Sequence, residues 1–584
     1  MFETGLSKTQ IQTVALTSTA ILLGAVWMAR PSSFLFPLQQ HEHHCRCFPG
    51  DDCWPSLEEW ADFNKTIGGK LISTIPIASP CHDSFPGVDY DPDKCAQIRA
   101  NWERPEFHIE TTHSPMAALF ANLSCDPFTP RDAQCIVGAY VPYVVNASDA
   151  DDYRKTIAFV KERNIRLVIR NTGHDYMGKS TGAGALAIWT HNIKERSILD
   201  YTSAGYTGKA MKIGAGVLSS EAIEMAKAEG LVVVGGDCPS VGIAGGYTQG
   251  GGTSPLSTKF GLAADQVLEW EVVTGKGELL TATPTQNQDL YWALSGGGGG
   301  TYGAVLSMTV MLHRDGPTAG ATLSFTEPSD KFWDMVKVFL MNLPAVLDAG
   351  ASLYAWYLPG NTFLISQSYL LEGTSQDLQR LLQPTLKALD ESGILYTWEG
   401  HDYPTFQDAF YTQNPKQDVA EINLGGRLIP RSLMKSNDSV DSLVDALKSI
   451  VDNGGMMATV CADTTHPPTF PNSAHPAWRE TLFLVFLYTI YDRYNMTTNI
   501  LNKQKVTNVL DPALVKLTPG GAVYLNEADN NHPDWPDAFY GPNYPKLAAI
   551  KKMYDPEDIF WGPTAVGREM WEIATDGRLC KVGP

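Results

Sequence analysis

Three glycine-dense stretches constrain the fold of this 584-residue chain more than any other feature. They are RNTGHDYMGKSTGAG at 170–184, GGDCPSVGIAGGYTQGGG at 235–252 and SGGGGGTYGAV at 295–305. Glycine permits turns that other residues avoid, and it lets successive main-chain N–H groups come close to an anion. One such loop would only mark a turn. Three in one region, two of them with a reactive side chain, predict a cradle for a large anionic cofactor.

The glycine pattern is not that of a Rossmann dinucleotide site. In that fold a G-x-G-x-x-G motif follows a strand and opens a helix. Here GAGALA at 182–187 and GGGGGTYG at 296–303 run into apolar segments without the periodicity of an amphipathic helix. The sequence therefore predicts a different dinucleotide-binding fold.

Hydrophobic periodicity divides the rest of the chain into two regions that differ in their predicted secondary structure. Strands at 135–143 and 165–170, a helix at 149–164 and a hairpin at 267–282 are predicted around the glycine loops. From 319 to about 530, long aromatic strands alternate with amphipathic helices, which is typical of an antiparallel sheet backed by helices. We therefore predict an α+β protein.

The predicted organisation has five parts. They are a leader at 1–30, a cysteine-rich segment at 31–133 that packs on the cofactor domain, a cofactor domain at 134–318, a substrate domain at 319–530, and a C-terminal segment at 531–584 that returns to the cofactor domain.

The leader contains an apolar run of sixteen residues at 14–29, between Lys8 and Arg30. A membrane-spanning helix needs about 20 apolar residues, and the core of a secretory signal about 7–15. Three alternatives stay open: a cleaved signal, an uncleaved signal-anchor that tethers the protein through residues 11–29, and a buried helix. The first two direct the body of the protein into the secretory pathway, either secreted or lumenal with an anchor.

Cysteines and sequons point to the same compartment. Seven of ten cysteines precede residue 136, and their spacing fits no tetrahedral zinc site, so we predict disulfides and no metal. Since seven is odd, at least one of them pairs with a distant cysteine or stays free. N-glycosylation motifs occur at Asn64, Asn122, Asn146, Asn437 and Asn495. The net charge of −20 argues against nucleic acid as a partner.

Several long motifs, in order, resemble a known family. They are RNTGHDYMGKS, GGDCPSVGIAGGYTQGGG, FGLAADQVLEWEVVT, DLYWALSGGGGGTYGAV and YPKLAAIKKMYDPEDIFW, and the early CRCFPGDDCWPS resembles secreted fungal members. Together they make the chain, from about Cys45 to Trp571, similar to the berberine-bridge-enzyme-like branch of the vanillyl-alcohol-oxidase flavoproteins. The resemblance implies that the cofactor domain is of the PCMH type and binds FAD.

The resemblance also implies two covalent bonds to the flavin. The histidine of the first motif, His174, is expected to join the methyl group at C8, and the cysteine of the second motif, Cys238, to join C6. Both are nucleophiles on glycine-flexed turns. The other residues expected to bind the cofactor are Arg170, Asn171, Thr172, Gly173, Asp175, Ser180, Gly236, Val241, Gly242, Gly245, Gly246, Gly250, Gly251 and Asn543.

The implied reaction is removal of a hydride from a small organic substrate, an alcohol or a secondary metabolite, followed by reoxidation with O2 to give H2O2. The small Val241 is associated in the family with access of oxygen, which favours an oxidase. We expect the base on a strand of the second domain, at Tyr488 or Tyr491, with Tyr354 or Tyr357 as alternatives. By resemblance, Asn543 and Tyr544 reach the flavin and the pocket. A dehydrogenase, an oxidative cyclase and a non-catalytic glycoprotein remain alternatives.

Overall fold

The structure is a computed structural model that describes residues 45–414, 418–419 and 421–582. The predicted leader and tether lie outside the described residues. Within the described ranges, no helix combines the length and the apolar character needed to cross a bilayer.

The first part of the described chain carries the glycine loops between short helices and strands. The helices are α1 (Leu57–Thr66), α2 (Pro92–Asn101), α3 (Pro105–Ile109), α4 (Ala118–Ala121), α5 (Ala150–Arg163), α6 (Ser219–Ala228), α7 (Ser257–Phe260) and α8 (Gln288–Leu294). The strands are β1 (Leu71–Ser73), β2 (Tyr143–Asn146), β3 (Arg166–Arg170), β4 (Ala185–Trp189), β5 (Arg196–Thr202), β6 (Thr207–Gly214), β7 (Leu231–Val232), β8 (Val267–Thr274), β9 (Leu279–Ala282), β10 (Gly303–Met311) and β11 (His313–Arg314).

Two sheets of this region position the glycine loops. One has the order β1-β2-β4-β3, with β2, β4 and β3 parallel, and the other has the antiparallel order β5-β6-β10-β8-β9. The first glycine loop leaves the carboxyl end of β3, where open α/β sheets place their ligands. The third loop leads into β10.

Local predictions in this region have mixed outcomes. The helix predicted at 149–164 and the hairpin at 267–282 are confirmed as α5 and as β8 with β9. The strand predicted at 135–143 is wrong. Only its last residue, Tyr143, belongs to β2, because Cys135 is cross-linked to Cys125 and Gly138 turns the chain with a φ of 51°.

The second part of the described chain is dominated by long strands and longer helices. The helices are α9 (Lys331–Asp348), α10 (Ser375–Ser392), α11 (Phe406–Gln413), α12 (Asn437–Asp452), α13 (Met496–Lys505), α14 (Asp511–Val515), α15 (Trp535–Tyr540) and α16 (Tyr544–Tyr554). The strands are β12 (Thr318–Thr326), β13 (Ser352–Leu358), β14 (Thr362–Leu371), β15 (Tyr396–Tyr403), β16 (Ile422–Pro430), β17 (Met456–Cys461), β18 (Thr481–Ile490), β19 (Trp571–Ile573) and β20 (Leu579–Lys581).

A seven-stranded antiparallel sheet organises this part, with the order β15-β12-β14-β13-β17-β18-β16. Alternate residues of a strand point to opposite faces. In β13, Leu353, Ala355 and Tyr357 are buried in the core formed with α9, α10 and α12, whereas Tyr354 and Trp356 are half-buried on the other face. The α+β architecture and the helix-backed antiparallel sheet are as predicted.

Four disulfides join eight of the cysteines: Cys45–Cys580, Cys47–Cys53, Cys81–Cys95 and Cys125–Cys135. The odd cysteine of the N-terminal group, Cys45, thus pairs with the last cysteine of the chain. Beside this bond Arg578 forms an ion pair with Asp51. Cys238 and Cys461 are thiols.

The C-terminal segment returns to the glycine-loop region. Phe560 forms a parallel bridge with Leu167 of β3. Lys551 of α16 is buried, and its ammonium group donates hydrogen bonds to the carbonyl oxygens of Thr301 and Phe560 and to the Asp555 carboxylate. One ammonium group therefore joins α16 to the third glycine loop.

Candidate active site

A cavity of about 750 Å³ lies between the glycine loops and the sheet. Residues of the three glycine loops line one side of it, and residues 560–562 of the C-terminal segment complete that side. The opposite side is formed by the helix-free face of the sheet, through β13, β16, β17 and β18. A concave site with clustered polar groups is the expected form of a cofactor and substrate site.

His174 and Cys238 meet on the wall of this cavity, although 64 residues separate them in sequence. Cys238 Sγ lies 3.9 Å from His174 Nε2. Ser240 Oγ lies 2.7 Å from His174 Nε2 and 3.3 Å from Cys238 Sγ, so it contacts both. The two nucleophilic side chains are therefore close enough to reach neighbouring atoms of one ligand.

The protonation of the pair follows from its enclosure by protein. Burial lowers the pKa of His174 to about 3, so its imidazole is neutral and keeps a nucleophilic lone pair. Burial raises the pKa of Cys238, against the effect of the hydrogen bond from Ser240. The sulfur is therefore held mainly as a thiol.

Glycine loops approach one another closely around the cavity. A Cβ on Gly242 would lie 2.3 Å from Asn171 Nδ2, and a Cβ on Gly299 would lie 2.8 Å from Gly246 Cα. Real Cβ atoms do not make contacts this short, so these positions require glycine. Asp175 orders the first loop, because its carboxylate accepts hydrogen bonds from the main-chain N–H groups of Met177 and Ser180.

Buried polar atoms of the cavity wall have no partner among the described residues. They are Asn171 Oδ1, Ser180 Oγ and Gln249 Oε1. Burying such atoms without a hydrogen bond costs free energy, so they indicate a polar ligand. Lys179 adds a cation beside them, and burial lowers its pKa to about 8. This wall fits a large cofactor with anionic and hydrogen-bonding groups.

Most residues predicted to bind the cofactor line the cavity. They are His174, Cys238, Asn171, Thr172, Gly173, Asp175, Ser180, Gly236, Val241, Gly242, Gly245 and Gly246.

Four predicted cofactor contacts lie elsewhere. Arg170 is buried beneath the first loop, where its guanidinium donates to the carbonyl oxygens of His108, Thr111 and Thr172. The other three do not line the cavity. A Cβ on Gly250 would meet the Asn526 side chain, a Cβ on Gly251 would lie 4.0 Å from Leu262, and Asn543 donates to the carbonyls of Ser473 and Ala474. Arg170 supports the loop from below instead of lining the cavity.

Strand geometry decides which of the tyrosines predicted as bases line the cavity. Tyr488 lines the cavity, but Tyr491 follows the end of β18 and does not. Residues three apart on an extended chain point to opposite faces, so both could not face the cavity. The same rule leaves Tyr354 on the cavity and puts Tyr357 in the helix-backed core.

Tyr544 also lies away from the cavity, contrary to the prediction. Its hydroxyl group donates to Glu569 Oε2 at 2.6 Å, and its ring packs against Trp535 and Tyr540. The asparagine and tyrosine of the C-terminal segment that do line the cavity are Asn526 and Tyr524, whose side chains are hydrogen-bonded at 3.0 Å.

Glu527, a carboxyl group that lines the cavity next to this pair, was not predicted from the sequence. Burial first, and then the nearby charge of Asp237, raise the pKa of Glu527 to about 7. A group with that pKa exchanges protons readily at neutral pH.

Two family descriptions match this chain. One is "FAD binding domain", over residues 141–283, and the other is "Berberine and berberine like", over residues 523–567. The first match contains His174 and Cys238, and the second contains Glu527. The reactive groups His174, Cys238 and Glu527 thus fall in matched regions.

Known proteins resemble nearly the whole chain. The FAD-linked oxidoreductase patO of Aspergillus clavatus is 45% identical, covering 97% of this chain and 99% of its own length. The VAO-type flavoprotein oxidase VAO615 of Thermothelomyces thermophilus is 41% identical, over 96% of this chain and 100% of its own. The crystal structure of the VAO-type flavoprotein MtVAO615 from Myceliophthora thermophila C1 superimposes with a TM-score of 0.88, covering 92% of this chain and 100% of that one.

Proposed function

Because the chain belongs to the berberine-bridge-enzyme-like FAD-linked oxidoreductases of the VAO type, we propose that it is an oxidase with FAD bound through both His174 and Cys238. The observation that carries the proposal is the approach of His174 and Cys238 to 3.9 Å on the wall of the cavity. FAD supplies the acceptor for a hydride from the substrate and passes the electrons to O2, giving H2O2.

The surroundings of the two nucleophiles support both attachments. The neutral imidazole of His174 has a lone pair for bond formation, and Ser240 holds its Nε2 by a hydrogen bond, so Nδ1 is the nitrogen left for the bond. The Cys238 thiol must lose its proton before it reacts, and Ser240 Oγ at 3.3 Å is positioned to stabilise the sulfur as it does so. Asn171, Ser180 and Lys179 are the groups that would hold the polar part of the cofactor.

Glu527 is the base that we assign to the reaction. An alcohol must lose its hydroxyl proton as the hydride leaves, and a carboxylate with a pKa of about 7 accepts that proton at neutral pH. Burial raises the pKa of Tyr488, so the phenolate that a tyrosine base requires is scarce at this pH. Tyr488 is therefore a wall of the cavity and a weaker candidate for the base.

Val241 supports an oxidase over a dehydrogenase. It lies on the second glycine loop, lines the cavity and carries a small side chain close to Cys238 in sequence. A small residue leaves room for O2 beside the flavin. The oxidase VAO615, which is similar along its whole length, agrees with this assignment.

We further propose that the protein acts in the secretory pathway, in agreement with its four disulfides. Of the sequon asparagines, Asn122, Asn437 and Asn495 are exposed. The amide of Asn146 instead accepts a hydrogen bond from Asn192 and is half-buried. Removal of N-glycans from protein made in a eukaryotic host should reduce its mass, and an unchanged mass would contradict this assignment.

Acid precipitation tests the covalent flavin. We expect the precipitate of the wild-type protein to stay yellow, and those of His174→Ala and Cys238→Ala to keep flavin through the remaining bond. The double variant should release all its flavin into the supernatant. Cys461→Ala, which removes the other thiol, is the matched control and should behave as wild type. If each single variant releases all its flavin, the two-bond assignment is wrong.

Peroxide release tests the oxidase and its base. A panel of primary and secondary alcohols is screened for H2O2 formed in air, and the best substrate is used for the variants. Glu527→Gln should lower kcat by about 10²–10⁴-fold, the usual contribution of a general base. Tyr488→Phe should stay within about threefold. Flavin reduction without peroxide would identify a dehydrogenase, and products of unchanged mass would contradict oxidation altogether.

A further inference from the structure

Three side chains form a row across the cavity face of the sheet. Trp356 of β13 is paired with Ala458 of β17, and Ala458 is paired with Phe486 of β18. Directly paired residues point to the same face, and all three line the cavity. The row thus places a small side chain between two large aromatic ones.

The strand spacing sets the width of the gap above Ala458. Neighbouring strands lie about 4.8 Å apart, so Trp356 and Phe486 stem from backbones about 10 Å apart. A planar ring between two others needs about 3.5–4 Å on each side, or about 7–8 Å in all. The gap therefore has room for one planar group between the two rings.

Both aromatic walls are held in place and have free ring faces. Trp356 Nε1 donates a hydrogen bond to Ser366 Oγ at 2.9 Å, which orients the indole. Phe486 packs against the buried cluster that contains Trp478 and Tyr524. In the described ranges, no other aromatic ring stacks on Trp356 or Phe486, whereas many other aromatic side chains form ring pairs.

The row ends beside the proposed base. On its far side Phe486 is paired with Gly426 of β16, and a Cβ on Gly426 would lie 3.7 Å from the carbonyl oxygen of Glu527. A group held between the two rings thus lies in the cavity that Glu527 also lines, with Phe486 on the side toward Glu527. Among the described residues, the lysine and arginine side chains that line the cavity are limited to Lys179, which belongs to the first glycine loop.

We propose that Trp356, Ala458 and Phe486 form a slot for a planar, uncharged aromatic part of the substrate, and that Ala458 determines this specificity. The inference rests on the proposed oxidase. It narrows the substrate to alcohols carried on an aromatic ring, with the hydroxyl-bearing carbon toward Glu527. Anionic aromatic compounds are disfavoured, because the carboxyl group of Glu527 would repel them and none of the lysine or arginine side chains that the structure describes faces the slot.

The test uses three probes of one carbon skeleton: naphthalen-2-ylmethanol, its saturated decahydro analogue and 2-naphthoate. Binding is measured by equilibrium dialysis against flavin-loaded protein that has been reduced beforehand and kept anaerobic, so that the alcohols are not oxidised, and turnover of the two alcohols is measured from peroxide release. For wild type we expect the planar alcohol to bind at least about tenfold more tightly than the saturated one, which cannot stack on the two aromatic rings. The carboxylate should also bind at least about tenfold more weakly, since like charges repel.

Variants then locate the slot. Ala458→Leu should weaken binding of naphthalen-2-ylmethanol by about tenfold or more by filling the gap, with Ala458→Val intermediate. Trp356→Leu and Phe486→Leu should each cost about 2- to 12-fold, the usual contribution of an aromatic pair. The matched control is Leu364→Ala, on the other side of Trp356 in the same row and outside the cavity, which should stay within about twofold.

Acid-stable flavin content confirms that each variant is folded, and Ala458→Val replaces Ala458→Leu if the latter is not loaded. Equal affinity for the planar and saturated alcohols, or an Ala458→Leu protein that binds both as wild type does, would overturn the slot. Either result is compatible with oxidation of other alcohols at Glu527. A protein without flavin, or without peroxide from any alcohol, would instead refute the proposed function.

Discussion

Replacement of Lys551 tests how much a buried ion pair within the C-terminal segment stabilises the protein. Lys551 Nζ lies 2.8 Å from Asp555 Oδ2, and the two side chains are 4% and 0% exposed. In Lys551→Met the Asp555 carboxylate keeps only the main-chain N–H donors of Ile559 and Phe560. Leaving one charge of a buried pair without its partner costs about 3–5 kcal/mol.

The expected change in Tm follows from the size of the protein. At about 2.1 cal/mol/K per residue, unfolding of the described chain has an entropy of about 1.1 kcal/mol/K, so Lys551→Met should lower Tm by about 3–5 °C. Lys552→Met is the matched control, because this neighbouring lysine is exposed and donates only to the Pro556 carbonyl. Its Tm should change by less than about 0.5 °C.

Circular dichroism at one fixed scan rate measures all variants under the same conditions. The double variant Lys551→Met with Asp555→Leu should recover most of the lost stability, because no buried charge remains unpaired. Equal Tm values for Lys551→Met and Lys552→Met would refute the reasoning. So would a double variant as unstable as the single one.

Three further predictions concern the cavity and its frame. The value of kcat/KM should rise with pH through about 7, because Glu527 must be ionised to accept a proton, and Glu527→Gln should remove this limb of the profile. Gly242→Ala should reduce flavin loading, because its Cβ would collide with Asn171. Loading is measured by the ratio of visible to protein absorbance. The control Gly235→Ala should load normally, since a Cβ there meets nothing closer than 3.6 Å. Asp149→Ala should lower the free energy of unfolding by about 1 kcal/mol, seen as a Tm decrease of about 1 °C, because Asp149 caps α5 through two main-chain N–H groups.

Local patterns predicted the elements whose stabilising contacts are local. Helix α5 has an N-cap at Asp149, acidic residues in its first turn and buried apolar residues at helical spacing, all of which are visible in the sequence. The apolar segment at 135–143 resembles a strand equally well, but the Cys125–Cys135 disulfide imposes a turn on it. Which cysteines pair is decided by the tertiary structure, so this outcome could not be predicted.

In the candidate site, too, the features that depend on local sequence were predicted and those that depend on the tertiary structure were not. His174 and Cys238 were identified because each lies in a glycine loop, a local feature with a chemical reason. Glu527 was not, because nothing in the sequence distinguishes it among 64 acidic residues until the C-terminal segment folds back beside the sheet. To choose the tyrosine that faces the cavity, one needed to know only where β18 ends and that successive residues of a strand point to opposite faces.

The bond between Cys45 and Cys580 has a consequence for how the protein is made. Its two sulfurs are separated by 535 positions, so Cys45 stays unpaired throughout translation until almost the last residues have emerged. The other three bonds close loops of 6 to 14 residues and can form early. A chain that stops before residue 580 therefore lacks the partner of Cys45 and cannot close the bond that joins the two ends of the described chain.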